Sequence, residues 1–171
     1  MKYVFLLIVL AAIFVSGCVA SIDLSGLSPE EQVEFMHKQN LQYLLDGNEK
    51  AMANAYSENY RDMGGGPNGD GTTNIHTVEY WKTVTSNDRF DEIRAKSIEE
   101  LVDLSSIQIS TYPNIENRNS GFICENSRIT FSCEVGDIFI AFPPTEDSPL
   151  FDGWFGVYRQ INNEWKIVAG D

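Results

Sequence analysis

The sequence has few histidines and cysteines, the side chains that bind transition metals and often take part in nucleophilic catalysis. It contains only two histidines and three cysteines in 171 residues. Two histidines, His37 and His76, are too few for a histidine-rich metal site. The sequence also has no Ser–His–Asp spacing of the hydrolytic kind and no nucleotide-binding fingerprint. We therefore expect neither a metal nor a cofactor, and no catalytic residue follows from a motif.

Positive charge is also scarce. The chain has 12 lysines and arginines against 25 aspartates and glutamates, which gives a net charge of −13. A surface of this sign repels nucleic acid and anionic lipid headgroups. We expect no nucleic-acid partner, whereas neutral and cationic ligands are permitted.

The N-terminus has the composition of an export signal. Lys2 is followed by an apolar run over residues 3–15 and then by the small residues Ser16 and Gly17. This order is typical of a cleavable signal peptide. Because a membrane-spanning helix needs about 20 apolar residues, a retained anchor is the less favoured alternative.

The end of this segment, Val15-Ser16-Gly17-Cys18, resembles the lipobox of bacterial and archaeal lipoproteins. The resemblance implies cleavage after residue 17 and a diacylglycerol on the sulfur of Cys18, with the membrane as partner. A small buried cysteine is the alternative. We expect the mature chain outside the cytoplasm, lipid-anchored to the cell membrane. Val19 in place of Asp favours the outer membrane if the envelope has two.

The rest of the chain has the size of one domain. Removal of residues 1–17 leaves 154 of the 171 residues, of which enough are hydrophobic to form a core. Residues 18–27 are predicted to carry the lipid and form a tether, and residues 28–171 to form the domain. The oligomeric state is left open.

The two remaining cysteines, Cys124 and Cys133, are predicted to pair. Disulfides persist in exported proteins. A metal site is the less favoured alternative, because two cysteines without a nearby histidine are a poor zinc site.

Helix signals dominate the first half of the domain. Ser28, Pro29 and Glu31 form a helix start, and Gly47 is a stop. Asn48 then caps a second helix that reaches about residue 56. A third helix is predicted over residues 77–84, and another capping box opens a helical turn at residue 97. The first helix carries an inward stripe at three- and four-residue spacing, formed by Val33, Met36, His37, Asn40, Leu41 and Leu44.

Strand signals dominate the second half. From residue 105 the hydrophobic period changes to two. Strands are predicted over residues 107–112, 128–133, 137–142, 154–161 and 164–169. Helices followed by an antiparallel sheet indicate the α+β class.

The last two strands form the clearest predicted hairpin. Asn162 and Asn163 tolerate the positive φ of a primed two-residue turn. This turn sets Tyr158 opposite Ile167 and Arg159 opposite Lys166. The face with the two basic residues is expected to be the more solvated one. The face expected to turn toward the helices carries Trp154, Tyr158, Trp165 and Ile167.

The domain resembles the NTF2-like superfamily, in particular its SnoaL-like and ketosteroid-isomerase-like branches, over most of residues 28–171. The resemblance implies a curved sheet wrapped by helices into a cone with an apolar pocket. It is carried by two stretches: Leu44-Leu45-Asp46-Gly47-Asn48-Glu49-Lys50-Ala51-Met52 followed by Tyr56 and Tyr60-Arg61-Asp62, and the closing segment from Tyr158 to Val168.

The resemblance implies a pocket without settling its use. Family enzymes place an Asp or His base and a Tyr or Asp acid in the pocket, and His37, Tyr60 and Asp62 are the nearest candidates here. A lone histidine on an apolar helix face is more often a satisfied core residue, so His37 is better explained in that way than as a base. The strand Ile138-Phe139-Ile140-Ala141-Phe142 offers no acidic partner. The candidate pocket residues are His37, Tyr60, Asp62, Trp154, Tyr158 and Trp165.

Three functions follow as hypotheses: a non-catalytic binding module for a small apolar ligand, a lyase or isomerase, and a cell-envelope interaction module. The aromatic residues and the scarcity of paired acids and bases favour binding.

Overall fold

A computed structural model describes residues 24–114, 125–126, 131–150 and 153–170 of the chain. Its helices are α1 (Pro29–Leu45), α2 (Glu49–Ala55), α3 (Val78–Thr85), α4 (Asp88–Arg94) and α5 (Ile98–Leu101). Its strands are β1 (Tyr56–Asp62), β2 (Gln108–Thr111), β3 (Glu125–Asn126), β4 (Phe131–Ser132), β5 (Ile138–Phe142), β6 (Trp154–Ile161) and β7 (Glu164–Gly170). The α+β class is confirmed.

Helix α1 begins and ends where the sequence predicts. The Ser28 hydroxyl accepts a hydrogen bond from the Glu31 backbone N–H at 3.2 Å, and the Glu31 carboxylate accepts one from the Ser28 N–H at 2.8 Å. These reciprocal bonds satisfy amides that have no partner within the helix. At the other end Gly47 has φ +63°, which ends the helix and lets the chain enter α2.

Five strands form one mixed sheet in the order β1-β7-β6-β5-β2. Strand β1 runs parallel to β7, whereas β2–β5, β5–β6 and β6–β7 are antiparallel. The prediction of an antiparallel sheet is therefore wrong for β1. A hydrophobic period of two reports which face a side chain occupies but carries no information about strand direction.

The closing hairpin has the predicted register. Asn162 and Asn163 have φ of 53° and 65°, as a primed turn requires. Tyr158 lies opposite Ile167 and Arg159 opposite Lys166. The face with Tyr158 and Ile167 packs against the helices in the main core, and this prediction is confirmed.

The opposite face of the sheet is less solvated than predicted. A second buried cluster lies there, formed by Phe131, Phe139, Val157, Val168 and Ala169. Arg159 lies on this face and donates to both carboxylate oxygens of Asp137, from Nε at 2.8 Å and Nη2 at 2.6 Å. Asp137 is only 1% exposed, so this bidentate pair neutralises the positive charge that had indicated a solvated face.

No helix in the described part of the chain is long and apolar enough to cross a membrane.

Candidate functional site

Three polar side chains meet inside the main core. His37 and Asn40 are three residues apart on α1, which places them on one face of the helix, and Tyr158 lies on β6 across from them. His37 Nδ1 is 3.1 Å from the Tyr158 hydroxyl, and Asn40 Nδ2 donates to the same hydroxyl at 2.9 Å. We call His37, Asn40 and Tyr158 the buried triad. Their exposed fractions are 1%, 4% and 0%.

The hydrogen bonds of the buried triad have one consistent direction. His37 Nε2 is 2.9 Å from the backbone carbonyl oxygen of Trp154, which can only accept, so this nitrogen carries the proton. Nδ1 then accepts from the Tyr158 hydroxyl, whose oxygen accepts in turn from Asn40. The tautomer is thus assigned from the network. Both ring nitrogens of His37 are satisfied.

Burial also fixes the protonation of the triad. Desolvation lowers the pKa of His37 from 6.5 to about 4, against the opposing effect of the Trp154 carbonyl. Desolvation raises the pKa of Tyr158 well above its usual value, although the Asn40 hydrogen bond opposes this. At neutral pH the imidazole is therefore uncharged and the phenol is protonated. Without solvent access, neither has the reach that general acid–base catalysis needs.

Aromatic rings close the space around His37. The ring centroids of His37 and Phe142 are 4.6 Å apart in an edge-on arrangement, and those of His37 and Trp154 are 6.2 Å apart. The buried indole Nε1 of Trp154 has no hydrogen-bond partner among the described residues. The structure thus brings three predicted pocket residues, His37, Trp154 and Tyr158, together as packed core.

Tyr60 and Asp62 lie on β1, and Tyr60 is buried in the core cluster that also contains Tyr158. The Tyr60 ring packs edge-on against Tyr56 with centroids 5.1 Å apart. The Asp62 backbone pairs with the glycine-rich loop, where its N–H donates to the Gly71 carbonyl at 3.0 Å. The Asp62 charge contributes, after desolvation, to a raised pKa of Tyr80. The predicted set of six pocket residues is therefore not one site.

An open cleft lies beside the triad. It has a volume of about 620 Å³ and is bounded by α1, α2 and the turn of the β6–β7 hairpin. This volume falls in the range of small-molecule sites. Of the predicted pocket residues, Trp165 alone lines it. The apolar side of the cleft is formed by Met36, Tyr43, Ala51, Ala55 and Trp165, with Leu24 at its N-terminal edge.

Carboxamides form most of the polar side of the cleft. They are contributed by Gln32, Gln39, Asn40, Asn48, Asn54 and Asn163. Asn40 is the one residue shared with the buried triad. Sequence analysis placed Asn40 on the inward stripe but missed the others as site residues, because a polar residue near a helix surface has no distinguishing pattern.

Some of the cleft's polar groups are paired. Trp165 Nε1 donates to Gln32 Oε1 at 3.0 Å, and Gln32 Nε2 donates to the Leu27 carbonyl at 3.0 Å. Lys166 Nζ donates to the Asn54 backbone carbonyl at 2.8 Å and lies 3.0 Å from the Glu164 carboxylate. These contacts fix the indole and join the tether to the hairpin.

Other polar groups of the cleft are unpaired within the described residues. The side-chain amides of Gln39, Asn54 and Asn163 have no hydrogen-bond partner there, and neither has the Lys50 ammonium. The cleft therefore combines a fixed apolar wall with free uncharged donors and acceptors.

The predicted lipidation and disulfide sites lie mostly outside the residues that the structure describes. Cys18 and Cys124 lie outside the described residues, and Cys133 is partly buried directly after β4. Among the described residues no group of three or more His, Cys, Asp or Glu side chains is placed to hold a metal.

Comparison with known proteins found no matching family model, no similar curated protein and no similar solved structure.

Proposed function

We propose that the chain is a membrane-anchored lipoprotein of the cell envelope whose domain binds a small ligand through a mainly apolar surface, without catalysis. The observation that carries the proposal is the contrast between the triad and the cleft. The three polar side chains of the buried triad are paired with one another, whereas polar groups of the cleft without a partner in the described residues stand beside the accessible indole of Trp165. Binding is the activity that such a cleft supports best.

The arrangement of elements supports the NTF2-like part of the proposal. Helix α1, the break at Asp46 and Gly47, helix α2 and strand β1 follow one another as the resemblance implies, and the β6–β7 hairpin closes the chain. The cone and its family remain part of the proposal. The interior of this cone would be filled by the triad and its aromatic neighbours, which leaves the cleft as the ligand site.

The tether supports a location at the membrane. Cys18 precedes Leu24 by six residues, and six extended residues span at most about 20 Å. Since Leu24 lines the cleft, a lipid on Cys18 would hold the cleft close to the bilayer surface.

Intact-mass analysis of membrane-extracted protein tests the anchor. We expect the loss of residues 1–17 and an added diacylglycerol, and Cys18→Ala should abolish both the modification and membrane fractionation. A wild-type mass that retains residues 1–17 would refute the anchor.

The Cys124–Cys133 disulfide is also a proposal, and the pairing of the adjacent strands β3 and β4 supports it. Glu125 lies opposite Ser132 in the β3–β4 pair. Continuing that register by one residue would set Cys124 opposite Cys133, at the Cα separation that a disulfide needs. Thiol labelling of denatured, unreduced protein should then detect no free thiol at either residue. Stoichiometric labelling of both would contradict the pairing.

The alternative functions lack support of this kind. A lyase or isomerase needs an acid and a base in reach of substrate, and in the cleft Lys166 and Glu164 are paired with each other. An interaction module needs a contiguous apolar patch. The exposed large apolar side chains of the described part, Leu27, Val78 and Val135, belong to three separate segments.

A neutral apolar fluorophore, N-phenyl-1-naphthylamine, tests the binding site. We expect saturable binding with quenching of tryptophan fluorescence, and a raised melting temperature that follows RT ln(1 + [L]/Kd). Ala51→Phe should fill part of the cleft and weaken binding by about tenfold or more. A tenfold loss of affinity corresponds to about 1.4 kcal/mol of binding free energy.

The matched control is Ala95→Phe, which makes the same change at an exposed residue outside the cleft. It should leave affinity unchanged. Equal effects of the two substitutions, or no saturable binding, would refute the cleft as the ligand site.

A further inference from the structure

The lining of the cleft is specific enough to indicate a ligand class. Six carboxamide side chains line it, compared with two lysines and one glutamate. A carboxamide presents two donors and an acceptor without charge. Such groups match a ligand whose own polar groups both donate and accept, which is the property of a hydroxyl.

The charge of the cleft differs from that of the whole chain. The chain has a net charge of −13, but among the described residues that line the cleft Glu164 is the only acidic one, and it is paired with Lys166. Only the exposed Lys50 is left over. The surrounding negative field repels an anion. Among its described residues the cleft has no unpaired carboxylate that would bind a cation. The ligand that fits is uncharged.

The aromatic side of the cleft supplies a flat apolar surface. Trp165 and Tyr43 are both partly exposed where they line it. The Gln32 hydrogen bond holds the edge of the indole, so its ring is set before any ligand arrives. Preorganisation of this kind lowers the entropic cost of binding.

We propose that the cleft binds a neutral polyhydroxylated ligand, a saccharide, whose C–H face lies on Trp165 and whose hydroxyls bond the free amides of Gln39, Asn54 and Asn163. This inference rests on the proposed function and names its ligand class. A sugar ring has an apolar face and an edge of donor–acceptor hydroxyls, which are the two surfaces that the cleft offers. The same chemistry occurs in a soluble oligosaccharide and in the headgroup of a neutral glycolipid.

Calorimetric titration with cellobiose, maltotriose and chitobiose tests the proposal for soluble ligands. Phosphatidylcholine vesicles with and without monogalactosyl diacylglycerol test the lipid headgroup. We expect saturable binding to at least one soluble saccharide or selectively to the galactolipid vesicles. The double variant Gln39→Leu, Asn54→Leu should weaken it by about tenfold, since each lost hydrogen bond contributes about 0.5–1.5 kcal/mol.

Gln160→Leu is the matched control, because it removes an exposed carboxamide from the same hairpin outside the cleft. It should leave saccharide binding unchanged. Saccharide binding that is equally sensitive to the control, or insensitive to the double variant, overturns the proposal.

Two further ligands, N-phenyl-1-naphthylamine and the neutral peptide tetraalanine, distinguish failure of the saccharide proposal from failure of the proposed binding function. If the fluorophore binds in the cleft but neither a soluble saccharide at about 20 mM, which is weaker than millimolar affinity, nor the galactolipid vesicles bind, the ligand class is wrong and the proposed function stands. Binding of the peptide in place of any saccharide also overturns the ligand class. If neither fluorophore nor saccharide binds, both proposals fail.

Discussion

The buried triad and the cleft share two elements, α1 and the β6–β7 hairpin, but their polar groups are in opposite states. In the triad, His37, Asn40 and Tyr158 satisfy one another away from water. In the cleft, Gln39 and Asn163 face solvent without partners in the described part. A buried polar group is costly unless it is paired, whereas an exposed one is free to bind. The difference separates a hydrogen-bonded network in the core from the proposed recognition surface.

The largest effect is expected from Tyr158→Phe. This change removes the hydroxyl that both His37 and Asn40 contact, and it leaves two buried polar groups unpaired. At about 1–3 kcal/mol for each group, the free energy of unfolding should fall by about 4 kcal/mol. Urea denaturation measures this loss.

Tyr43→Phe is the control for that variant, because Tyr43 lines the open cleft. It should change the free energy of unfolding by less than about 0.5 kcal/mol. If both variants cost the same, the triad is not a special source of stability and the comparison fails.

The second effect is acid destabilisation through His37. Its pKa is 6.5 in an unfolded chain and about 4 in the fold, so between these values the unfolded chain binds a proton that the folded chain does not. The contribution is fully present above pH 6.5 and is lost as the pH falls toward 4. The total loss should be about 3 kcal/mol.

Urea denaturation at several pH values isolates this effect when wild type is compared with His37→Gln. The variant lacks the titrating ring. The difference in free energy of unfolding between wild type and variant should therefore fall by this amount as the pH is lowered from 6.5 to 4. Parallel stability curves between pH 4 and 6.5 would contradict the buried, uncharged imidazole.

A smaller effect is expected at the wall of the cleft. Trp165→Phe keeps an aromatic ring but removes the N–H that donates to Gln32. Because water can replace part of this bond, the free energy of unfolding should fall by only about 1 kcal/mol. A double-mutant cycle with Gln32→Leu should show coupling of similar size. A loss above about 3 kcal/mol would mean that Trp165 belongs to the core.

The smallest effect is expected from the unpaired amides. The variant Gln39→Leu, Asn54→Leu should change the free energy of unfolding by less than about 0.5 kcal/mol, because no partner in the described residues is lost. Thermal denaturation measures it. A cost above about 1.5 kcal/mol would show that these amides stabilise the fold and would remove the basis for calling the cleft a recognition surface.

Sequence analysis predicted the elements whose signals are local. The caps at Ser28 and Ser97 and the turn at Asn162 each depend on residues within three or four positions, and each is confirmed. Helix α4 (Asp88–Arg94) was missed, because a seven-residue segment with few apolar positions gives no clear period.

The candidate site was predicted only in part. The inward direction of His37, Tyr158 and Trp154 follows from helical and strand periods, and the structure brings these residues together. Tyr60 and Asp62 are candidates only through a family resemblance. In the structure Tyr60 packs against Tyr56, and the Asp62 backbone pairs with the glycine-rich loop.

By itself, the sequence determined the α+β class, the starts of the helices capped by Ser28 and Ser97, and the register of the closing hairpin, because capping and turn chemistry act between near neighbours. Only the tertiary structure decided which polar residues are buried and hydrogen-bonded and which face solvent in the cleft. His37 and Tyr158 are 121 positions apart in the chain, so their hydrogen bond exists only once α1 packs on the sheet. The cleft likewise exists only because α1, α2 and the hairpin turn meet at its edges, and such long-range packing leaves no periodic signal in the sequence.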